Sequence, residues 1–413
     1  MKDFRIAHRH SYDDKSLFTV WYRENDQKPK RLEHNKPVNR SCLKIRLYPD
    51  RAQERKLEAT LETCRLVYNS LVNDRKFQYD TAKASVGYFT QKAYLPVWKK
   101  SHSELKAVYS QVLQDVVHRV ELAFKAFFDR AAKGDTPGFT PGFPRLKGEG
   151  QYDSITYTQN DSFKVGGSTI RLAKIGQVKA KLHRKPWGEL KTCTVHRING
   201  KWFACLCQEI EFEHLPPSNE ALGIDVGLKT FAALSNGEFI ENPRFFRKEE
   251  KALAKAQRKL SKQKRGSRER KKARKVVSRI HERIRNRRHD FCHQNARRIV
   301  NRCGIIAVEK LSVKNMLGNH CLAKSIADAS WSQFRSILTS KAESAGREVL
   351  AVNPAYTSQD CSGCGYRPDG LEGRTKKKLS DRWYLCPMCG LSLDRDTNAA
   401  VNILAIGQYS LAI

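Results

Sequence analysis

Two pairs of cysteines have the spacing of a metal site. Cys361 and Cys364 form one CxxC pair, and Cys386 and Cys389 form a second pair after 21 intervening residues. Two such pairs can supply four thiolates to one tetrahedral zinc ion, which leaves no open position for a substrate. We therefore predict structural Zn²⁺ here, with a redox-active cysteine pair as the alternative.

Three acidic residues are candidates for a second metal site, one that carries out chemistry. Asp225 lies in a GIDVG segment, Glu309 follows the apolar run IIAV, and Asp396 precedes TNAAVNILA. Each would lie at a strand or helix end, so the three carboxylates could converge on one crevice. Convergent carboxylates bind Mg²⁺, and two such ions can activate water and stabilise the leaving oxygen in phosphodiester hydrolysis. Taken singly, Asp225 could be a turn residue and Glu309 a solvated strand end.

Asp394 competes with Asp396 for the third position in this acidic set. We favour Asp396 because the helical pattern continues from it, which would put its carboxylate at a helix N-cap. Asp394 would then be a supporting or structural group.

The basic composition indicates a polyanionic partner. The 413 residues include 77 Lys and Arg against 43 Asp and Glu, a formal net charge of +34. Nucleic acid is the first candidate; a membrane surface is the second, but the basic residues are not confined to one amphipathic helix. No run of 18 apolar residues suggests a membrane span, and the first residues lack the apolar core of a secretion signal.

Outside the two pairs, the other eight cysteines are scattered singly, which suits a reducing compartment.

The most basic stretch of the chain is 244–302. It holds 24 Lys and Arg against five Asp and Glu, too few acids to neutralise it by pairing along a helix. Its apolar spacing predicts a helical hairpin with a turn at 262–272. A solvated charge run is the alternative to nucleic-acid contact. The candidate contact residues are Arg258, Lys262, Lys264, Arg265, Arg268, Lys271 and Lys272.

The first half of the chain predicts a small β-barrel interrupted by helices. Residues 1–42 read as an extension of unknown role, and 43–48 alternate as in a strand. Apolar stripes predict two helices, one from Asp50 to about Leu71 and one over about 104–130, whose function is core packing or backbone contact. Five strand candidates follow, up to about Phe212: 154–158, 170–172, 178–182, 193–197 and 202–209.

The second half predicts a ribonuclease-H-like α/β nuclease domain. A three-stranded meander over 222–241 carries Asp225 in its first strand, and 304–311 is another buried strand. A helix over 331–345 and a strand over 348–352 follow. The expected fold class is therefore α+β and multidomain: a barrel with an inserted helical bundle, then a nuclease domain with an inserted zinc ribbon.

Several motifs together resemble one family. The segments GIDVGLKTFA, IIAVEKLSV, SIADASWSQF, TSQDCSGCG, CPMCG and DRDTNAAVNIL are similar to those of TnpB, and the resemblance covers roughly 43–405. TnpB proteins are transposon-encoded RNA-guided nucleases thought to be ancestral to the type V CRISPR effectors. The resemblance implies that Asp225, Glu309 and Asp396 are catalytic. One departure is Leu393, where relatives often carry His.

The resemblance also implies a domain organisation. It assigns the nuclease domain to the RuvC-like type and the basic hairpin 244–302 to that domain. The implied domains are a wedge barrel (43–50 and 131–215), a helical recognition domain (51–130), the nuclease domain (219–355 and 392–413) and a zinc ribbon (356–391).

The implied activity is guided DNA cleavage. By resemblance, the protein binds a guide RNA derived from the transposon end, recognises a short motif beside its double-stranded DNA target, and cuts with a Mg²⁺-dependent site. The resemblance further implies that one monomer binds each guide RNA and that the protein has no membrane partner. It also implies a cytoplasmic, nucleoid-associated location in a prokaryotic cell. The alternatives are an RNA-guided repressor that does not cleave and a zinc-ribbon transposition accessory or regulator.

Overall fold

The structure, a computed structural model, describes residues 39–132, 141–158, 160–367 and 381–412. The chain from Asn39 to Ile413 forms one compact unit. Nearly all of the predicted extension 1–42 lies outside the described residues. Within them, no helix is both long enough and apolar enough to cross a membrane.

A seven-stranded antiparallel sheet occupies the region of the predicted barrel. The strand order is β2-β6-β7-β1-β5-β4-β3. The strands are β1 (Asn39–Tyr48), β2 (Ser154–Tyr157), β3 (Phe163–Val165), β4 (Thr169–Leu172), β5 (Gly176–Lys181), β6 (Glu189–Ile198) and β7 (Lys201–Ile210).

The predicted closed barrel is wrong for the described residues. The edge strands β2 and β3 are four and three residues long, and each pairs with only one described neighbour. Closing a barrel requires the two edges to pair in a consistent register, and such short edges offer few groups for that pairing. The sheet is therefore open, and short edge strands also limit unwanted pairing with other chains.

The predicted strand at 43–48 lies in the middle of this sheet. Leu43, Ile45 and Leu47 are buried, while the basic side chains between them point to the other face. β1 pairs with β7 on one side and β5 on the other. The Asn199-Gly200 turn joins β6 to β7 with φ of 51° and 74°, the conformation that favours this residue pair in a two-residue hairpin.

Four helices lie between β1 and β2 in the chain. They are α1 (Arg51–Ala82), α2 (Tyr88–Ser101), α3 (Ser103–Ala107) and α4 (Ser110–Ala132). The apolar stripe predicted in α1 is buried, and Asp50 caps that helix by accepting from the amide of Gln53. The single helix predicted over 104–130 is wrong, because Val108 is extended (φ −90°, ψ 137°) and separates α3 from α4. Val108 is still buried, so the apolar pattern continues through the break.

A five-stranded mixed sheet carries the predicted meander. β8, β9 and β10 are antiparallel, and β11 lies parallel to both β8 and β12, in the order β10-β9-β8-β11-β12. The strands are β8 (Ala221–Val226), β9 (Thr230–Leu234), β10 (Phe239–Glu241), β11 (Ile305–Glu309) and β12 (Glu348–Val352). The remaining elements are α5 (Phe245–Ser261), α6 (Arg268–Arg302), α7 (Val313–Met316), α8 (His320–Ala329), α9 (Trp331–Ser344), the short strands β13 (Trp383–Leu385) and β14 (Ser392–Asp394), and α10 (Arg395–Ala412).

The two faces of this sheet pack against different helices. Ile224 and Val308 belong to the apolar cluster formed with α6 and α9, whereas Ala307 packs with Ile403 of α10. A side chain at Gly223 would collide with the carbonyl oxygen of Ala400, so glycine permits α10 to lie directly on β8. Strand residues alternate between faces. Asp225 and Glu309, two positions after Gly223 and Ala307, therefore lie on the α10 face as well.

The basic stretch forms the predicted helical hairpin, with a turn at 262–267 that is shorter than expected. Leu253 of α5 packs against Ile280 and Ile284 of α6. Asp328 of α8 anchors the base of the hairpin, because it accepts from the amide of Phe246 and from the guanidinium of Arg288.

Candidate functional site

The sheet brings two of the candidate carboxylates to the same edge. β8 and β11 are parallel neighbours, and their register pairs Ile224 with Val308. Asp225 and Glu309 are the next residues on each strand, so both lie at the carboxyl ends of the strands and on the α10 face. Asp396 lies in the first turn of α10, the helix that packs on this face.

Burial raises the pKa of all three carboxyl groups, and other carboxylates add to the shift at Asp225 and Asp396. The pKa of Asp225 is raised well above its usual value, first by burial and then by the negative charges of Glu309 and Asp396. Burial also raises the pKa of Glu309, against the effect of a hydrogen bond from Thr357. Burial and then the charge of Asp394 raise the pKa of Asp396. Such mutual repulsion is relieved when a proton or a metal cation binds.

The three carboxylates do not form one compact ligand cage. Among the described residues, only the four ribbon cysteines bring three or more ligand atoms within 4.8 Å of one another. The three carboxylates are therefore less closely gathered than the four thiols. A site for two cations about 3.5–4 Å apart spans more space than the ligand cage of a single ion.

Asp394 and Asp396 have different structural roles. One carboxylate oxygen of Asp394 accepts from the amides of Asp396 and Thr397, at 2.9 and 3.2 Å. Asp394 therefore caps α10, and the predicted N-cap role of Asp396 is wrong because the helix begins one residue earlier, at Arg395. The carboxylate of Asp396 is not used for capping.

A chain of polar contacts links α10 to Glu309. The hydroxyl of Thr357 donates to Glu309 at 2.8 Å, and Asn402 of α10 donates to the carbonyl oxygen of Thr357 at 2.8 Å. Asn398, fully buried, accepts from the amide of Ser362 at 3.0 Å. Sequence reasoning missed Thr357, Asn398 and Asn402; the available signal was the i, i+4 spacing of two asparagines on an otherwise apolar helix.

The four cysteines converge as their spacing predicts. Cys361 and Cys389 have their sulfurs 3.6 Å apart, as do Cys364 and Cys386. With Zn–S bonds of about 2.3 Å, tetrahedral geometry requires sulfurs separated by about 3.8 Å, so the cluster fits a zinc ion. Burial raises the pKa of Cys386, but the amides of Cys389 and Met388 together with the thiols of Cys361 and Cys389 lower it to about 6. The pKa values of Cys361 and Cys364 are raised. A metal ligand must be a thiolate, so a bound cation would have to displace the remaining protons.

Both cysteine pairs adopt the same turn. The amide of Gly365 donates to the carbonyl oxygen of Cys361, and that of Gly390 donates to Cys386, at 2.9 and 3.1 Å. These two glycines have φ of 74° and 72°, a left-handed conformation that favours glycine. The repeated turn explains why each CxxC is followed directly by Gly.

The seven basic candidates lie around the tip of the α5–α6 hairpin. All seven are exposed, and within the described part of the chain none has an acidic side chain at ion-pair distance. A different residue, Arg270, folds back over the turn and donates to the carbonyl oxygens of Leu260 and Gln263. Arg270 is therefore structural, while the seven candidates are exposed and have no acidic partner among the described residues.

Three family models match successive parts of the chain. One described as a helix-turn-helix domain matches 41–83, one described as a probable transposase matches 203–320, and one described as a Cas12f1-like TNB domain matches 331–403. In the structure, the first of these regions is strand β1 followed by the single long helix α1.

Curated relatives extend over nearly the whole chain. A putative RNA-guided DNA endonuclease of Streptomyces pristinaespiralis is 35% identical over 373 residues, which cover 89% of each chain. The putative RNA-guided DNA endonuclease InsQ of Escherichia coli K12 is 32% identical over 389 residues, covering 90% of this chain and 93% of that protein. A solved Cas12f1–sgRNA–target DNA complex has a similar protein fold, with a TM-score of 0.54 at 15% identity over 89% of this chain and 99% of that one. The motif resemblance is thus confirmed, and the chain belongs to the TnpB family of endodeoxyribonucleases.

Proposed function

We propose that this protein is a Mg²⁺-dependent, RNA-guided DNA endonuclease whose catalytic residues are Asp225, Glu309 and Asp396. The observation that carries the proposal is that Asp225 and Glu309 lie on neighbouring parallel strands at their carboxyl ends, with Asp396 in the first turn of the helix that packs on that face. After burial, the charges of Glu309 and Asp396 raise the pKa of Asp225, and convergent carboxylates are a site for hard divalent cations.

The chain's own residues would hold and orient the reacting groups. When bound, Mg²⁺ would supply an activated water and charge neutralisation at the leaving oxygen. Asp225, Glu309 and Asp396 would provide its protein ligands. Thr357 keeps the Glu309 carboxylate oriented by donating to it, and Asp394 fixes the first turn of α10. The four cysteines would hold Zn²⁺ as a structural ion that supports the segment between Thr357 and α10.

The partners would be a guide RNA derived from the transposon end and a double-stranded DNA target beside a short recognition motif. In guided nucleases, base pairing carries the sequence specificity and the protein contacts mainly the backbone. A diffuse charge of +34 and an unpaired basic hairpin tip suit that task. Arg258, Lys262, Lys264, Arg265, Arg268, Lys271 and Lys272 would contact nucleic-acid phosphates.

We also propose which parts of the fold form each domain. The sheet of β1–β7 would act as the wedge and α1–α4 as the recognition domain. The second sheet, the basic hairpin and α10 would form the RuvC-like nuclease domain, interrupted by the zinc ribbon. A monomer bound to one guide RNA in the cytoplasm of a prokaryotic cell, close to the nucleoid, completes the proposal.

Asp225→Ala tests the active site directly. We expect this variant to bind its target in the presence of guide RNA while DNA cleavage is lost, because one cation ligand is missing. Cleavage gels and gel-shift assays on the same preparation measure the two properties. Glu241→Ala is the matched control, since Glu241 is an exposed carboxylate at the end of β10 in the same sheet. Cleavage by Asp225→Ala at a rate near that of the control would show that the catalytic assignment is wrong.

Two other functions predict different results. A non-cleaving repressor would not retain all three carboxylates, so their presence favours the nuclease. A transposition accessory would bind DNA without RNA. Sequencing the RNA that co-purifies with the protein separates the accessory from the two guided functions, because only a guided protein carries RNA with a defined 3′ segment. The cleavage assay separates the nuclease from the repressor.

A further inference from the structure

Three cysteines outside the ribbon come together on one face of the seven-stranded sheet. Cys42 of β1 lies directly opposite Cys207 of β7 in the antiparallel register. Cys205 is two residues before Cys207 and therefore shares its face. Cys42 is exposed and the other two are partly exposed. In the sequence, Cys42 is separated from the other two by more than 160 residues, so no local pattern connects them.

The geometry of Cys42 and Cys207 suits a disulfide. Directly opposed residues of antiparallel strands have Cα atoms about 4.5–5.5 Å apart, within the range of roughly 4.4–6.8 Å that disulfides span. Burial raises the pKa of Cys42, and the negative charge of a Cys207 thiolate would raise it further, which indicates that the two thiols are close. Cys205 has a different neighbour: its sulfur lies 3.7 Å from Nε2 of His196, and the residue opposite it on β1 is Lys44.

We propose that Cys42 and Cys207 are an oxidisable pair that closes a cross-strand disulfide in the presence of a peroxide or a small-molecule disulfide. The bond would join the start of β1 to the end of β7, just before the chain continues to the second sheet. The loop it closes contains α1–α4 and the strands β2–β6. This inference does not depend on the proposed nuclease function.

The reaction with hydrogen peroxide balances as follows. One thiolate sulfur attacks a peroxide oxygen, the O–O bond breaks, and a sulfenic acid and one water result once the leaving hydroxide takes up a proton. The sulfur of the second thiol then attacks the sulfenic sulfur, the S–O bond breaks, and a second water leaves. The two thiols lose two electrons, and peroxide is reduced to two waters.

The local environment lowers the reactivity of the Cys42 thiol. Burial, followed by the neighbouring Cys207 thiol, raises the pKa of Cys42 to about 11. Thiolate is the reactive form, so little of Cys42 is reactive at neutral pH. The ribbon cysteines are a separate set, which bound zinc would protect.

The test maps thiols in the full-length, zinc-loaded protein. After incubation with oxidised glutathione or dilute peroxide, free thiols are alkylated, and tryptic peptides are analysed without reductant. We expect the peptide containing Cys42 to be joined to the one containing Cys205 and Cys207, with the mass lower by two hydrogens, and the link to disappear after reduction. Cys321, an exposed single cysteine on α8, should be alkylated or carry a separate adduct.

Matched serine variants identify the partner. Cys42→Ser and Cys207→Ser should abolish the link, while Cys205→Ser should retain it. The oxidised wild type and Cys205→Ser should also show a higher Tm than their reduced forms, because a disulfide across a long loop restricts the unfolded chain. An alkylated or singly glutathionylated Cys42 in oxidised wild type would overturn the proposal, as would a link that persists in Cys207→Ser. If a variant fails to fold, fragmentation of the linked wild-type peptides distinguishes Cys205 from Cys207, and a link to Cys205 would also overturn the proposal.

Discussion

Asp225 is held where its negative charge is unfavourable as long as no cation is bound. Burial and two neighbouring carboxylates raise its pKa, so the folded protein binds this proton more strongly than the unfolded chain does. The contribution of Asp225 to stability therefore decreases as pH rises from the usual Asp range through its raised folded-state pKa. Above that window the crevice carries its full repulsion, and a divalent cation relieves it.

Asp225→Asn tests whether the repulsion at Asp225 lowers the stability of the metal-free protein. At neutral pH without metal, we expect the variant to unfold a few degrees higher than the wild type, because a neutral amide replaces a repelled carboxylate. Adding Mg²⁺ should raise the Tm of the wild type but not that of the variant. Thermal unfolding in EDTA and in Mg²⁺ measures both effects. Glu241→Gln should behave as wild type; an equal Mg²⁺ response in Asp225→Asn would contradict the assigned ligand.

Thr357→Val tests a residue that acts through Glu309. Loss of the hydroxyl removes a hydrogen bond to a charged group, worth about 1.5 kcal/mol or more, so cleavage should fall about tenfold or further. That bond lowers the pKa of Glu309, and its loss should shift the acidic limb of the pH–rate profile to higher pH. Thr357→Ser retains the donor and should restore both rate and profile. A reduced rate with an unshifted profile would indicate a purely structural role.

At the scale of elements, α10 determines whether the crevice exists. Gly223 lets this helix lie directly on β8, Asp394 fixes its first turn, and Asn402 ties it to the segment before the ribbon. A short displacement of α10 would move Asp396 away from the two strand ends. The cysteine-bearing segment contacts the same helix, because Asn398 of α10 accepts from the amide of Ser362.

Asp394→Ala should weaken α10 without removing a proposed ligand. Loss of a helix N-cap costs about 1 kcal/mol, so we expect a lower Tm and a partial loss of cleavage. Asp394→Asn can still cap and should be close to wild type, whereas Asp396→Asn should lose cleavage with little change in Tm. Denaturation and cleavage assays on the three variants distinguish the roles. Full loss of cleavage in Asp394→Asn would assign that carboxylate to the metal site.

On the scale of the whole molecule, acidic residues of the basic stretch 244–302 form ion pairs and hydrogen bonds away from the tip of the hairpin. Glu249 lies between Arg283 and Arg287, Glu250 pairs with Lys324 of α8, and Glu282 accepts from Asn199 of the β6–β7 turn. These contacts fix the hairpin to its neighbours. They leave the charge at the tip without acidic partners in the described residues, and a surface that carries charge of one sign attracts polyanions.

Neutralising the tip should change how nucleic-acid binding depends on salt. We expect Lys262, Lys264, Lys271 and Lys272 changed together to Gln to weaken binding. If each of the four lysines contacts one phosphate, the slope of log K against log salt should decrease by about three to four. Replacing the same four residues with Arg keeps the charge and should keep the slope. Binding titrations at several salt concentrations provide the measurement. An unchanged slope in the Gln variant would remove the tip from the interface.

The sequence by itself determined the features that depend on local spacing. The two CxxC pairs, the alternation of β1, the apolar stripe of α1 and the hairpin at 244–302 each follow from side-chain periodicity or from turn residues close in sequence. The order of Asp225, Glu309 and Asp396 was also visible, because each follows a recognisable apolar run or begins one.

Only the tertiary structure decided the features that depend on distant contacts. Whether the first sheet closes depends on its edge strands meeting, and no local pattern reports that. Val108 fits the apolar spacing of a helix, but its backbone is extended. Its side chain is buried all the same, so the spacing alone could not reveal the break. The roles of Asp394 and Thr357 and the meeting of Cys42 with Cys207 depend on hydrogen bonds and strand register. These contacts join residues that are far apart in the sequence, so no local sequence pattern predicts them.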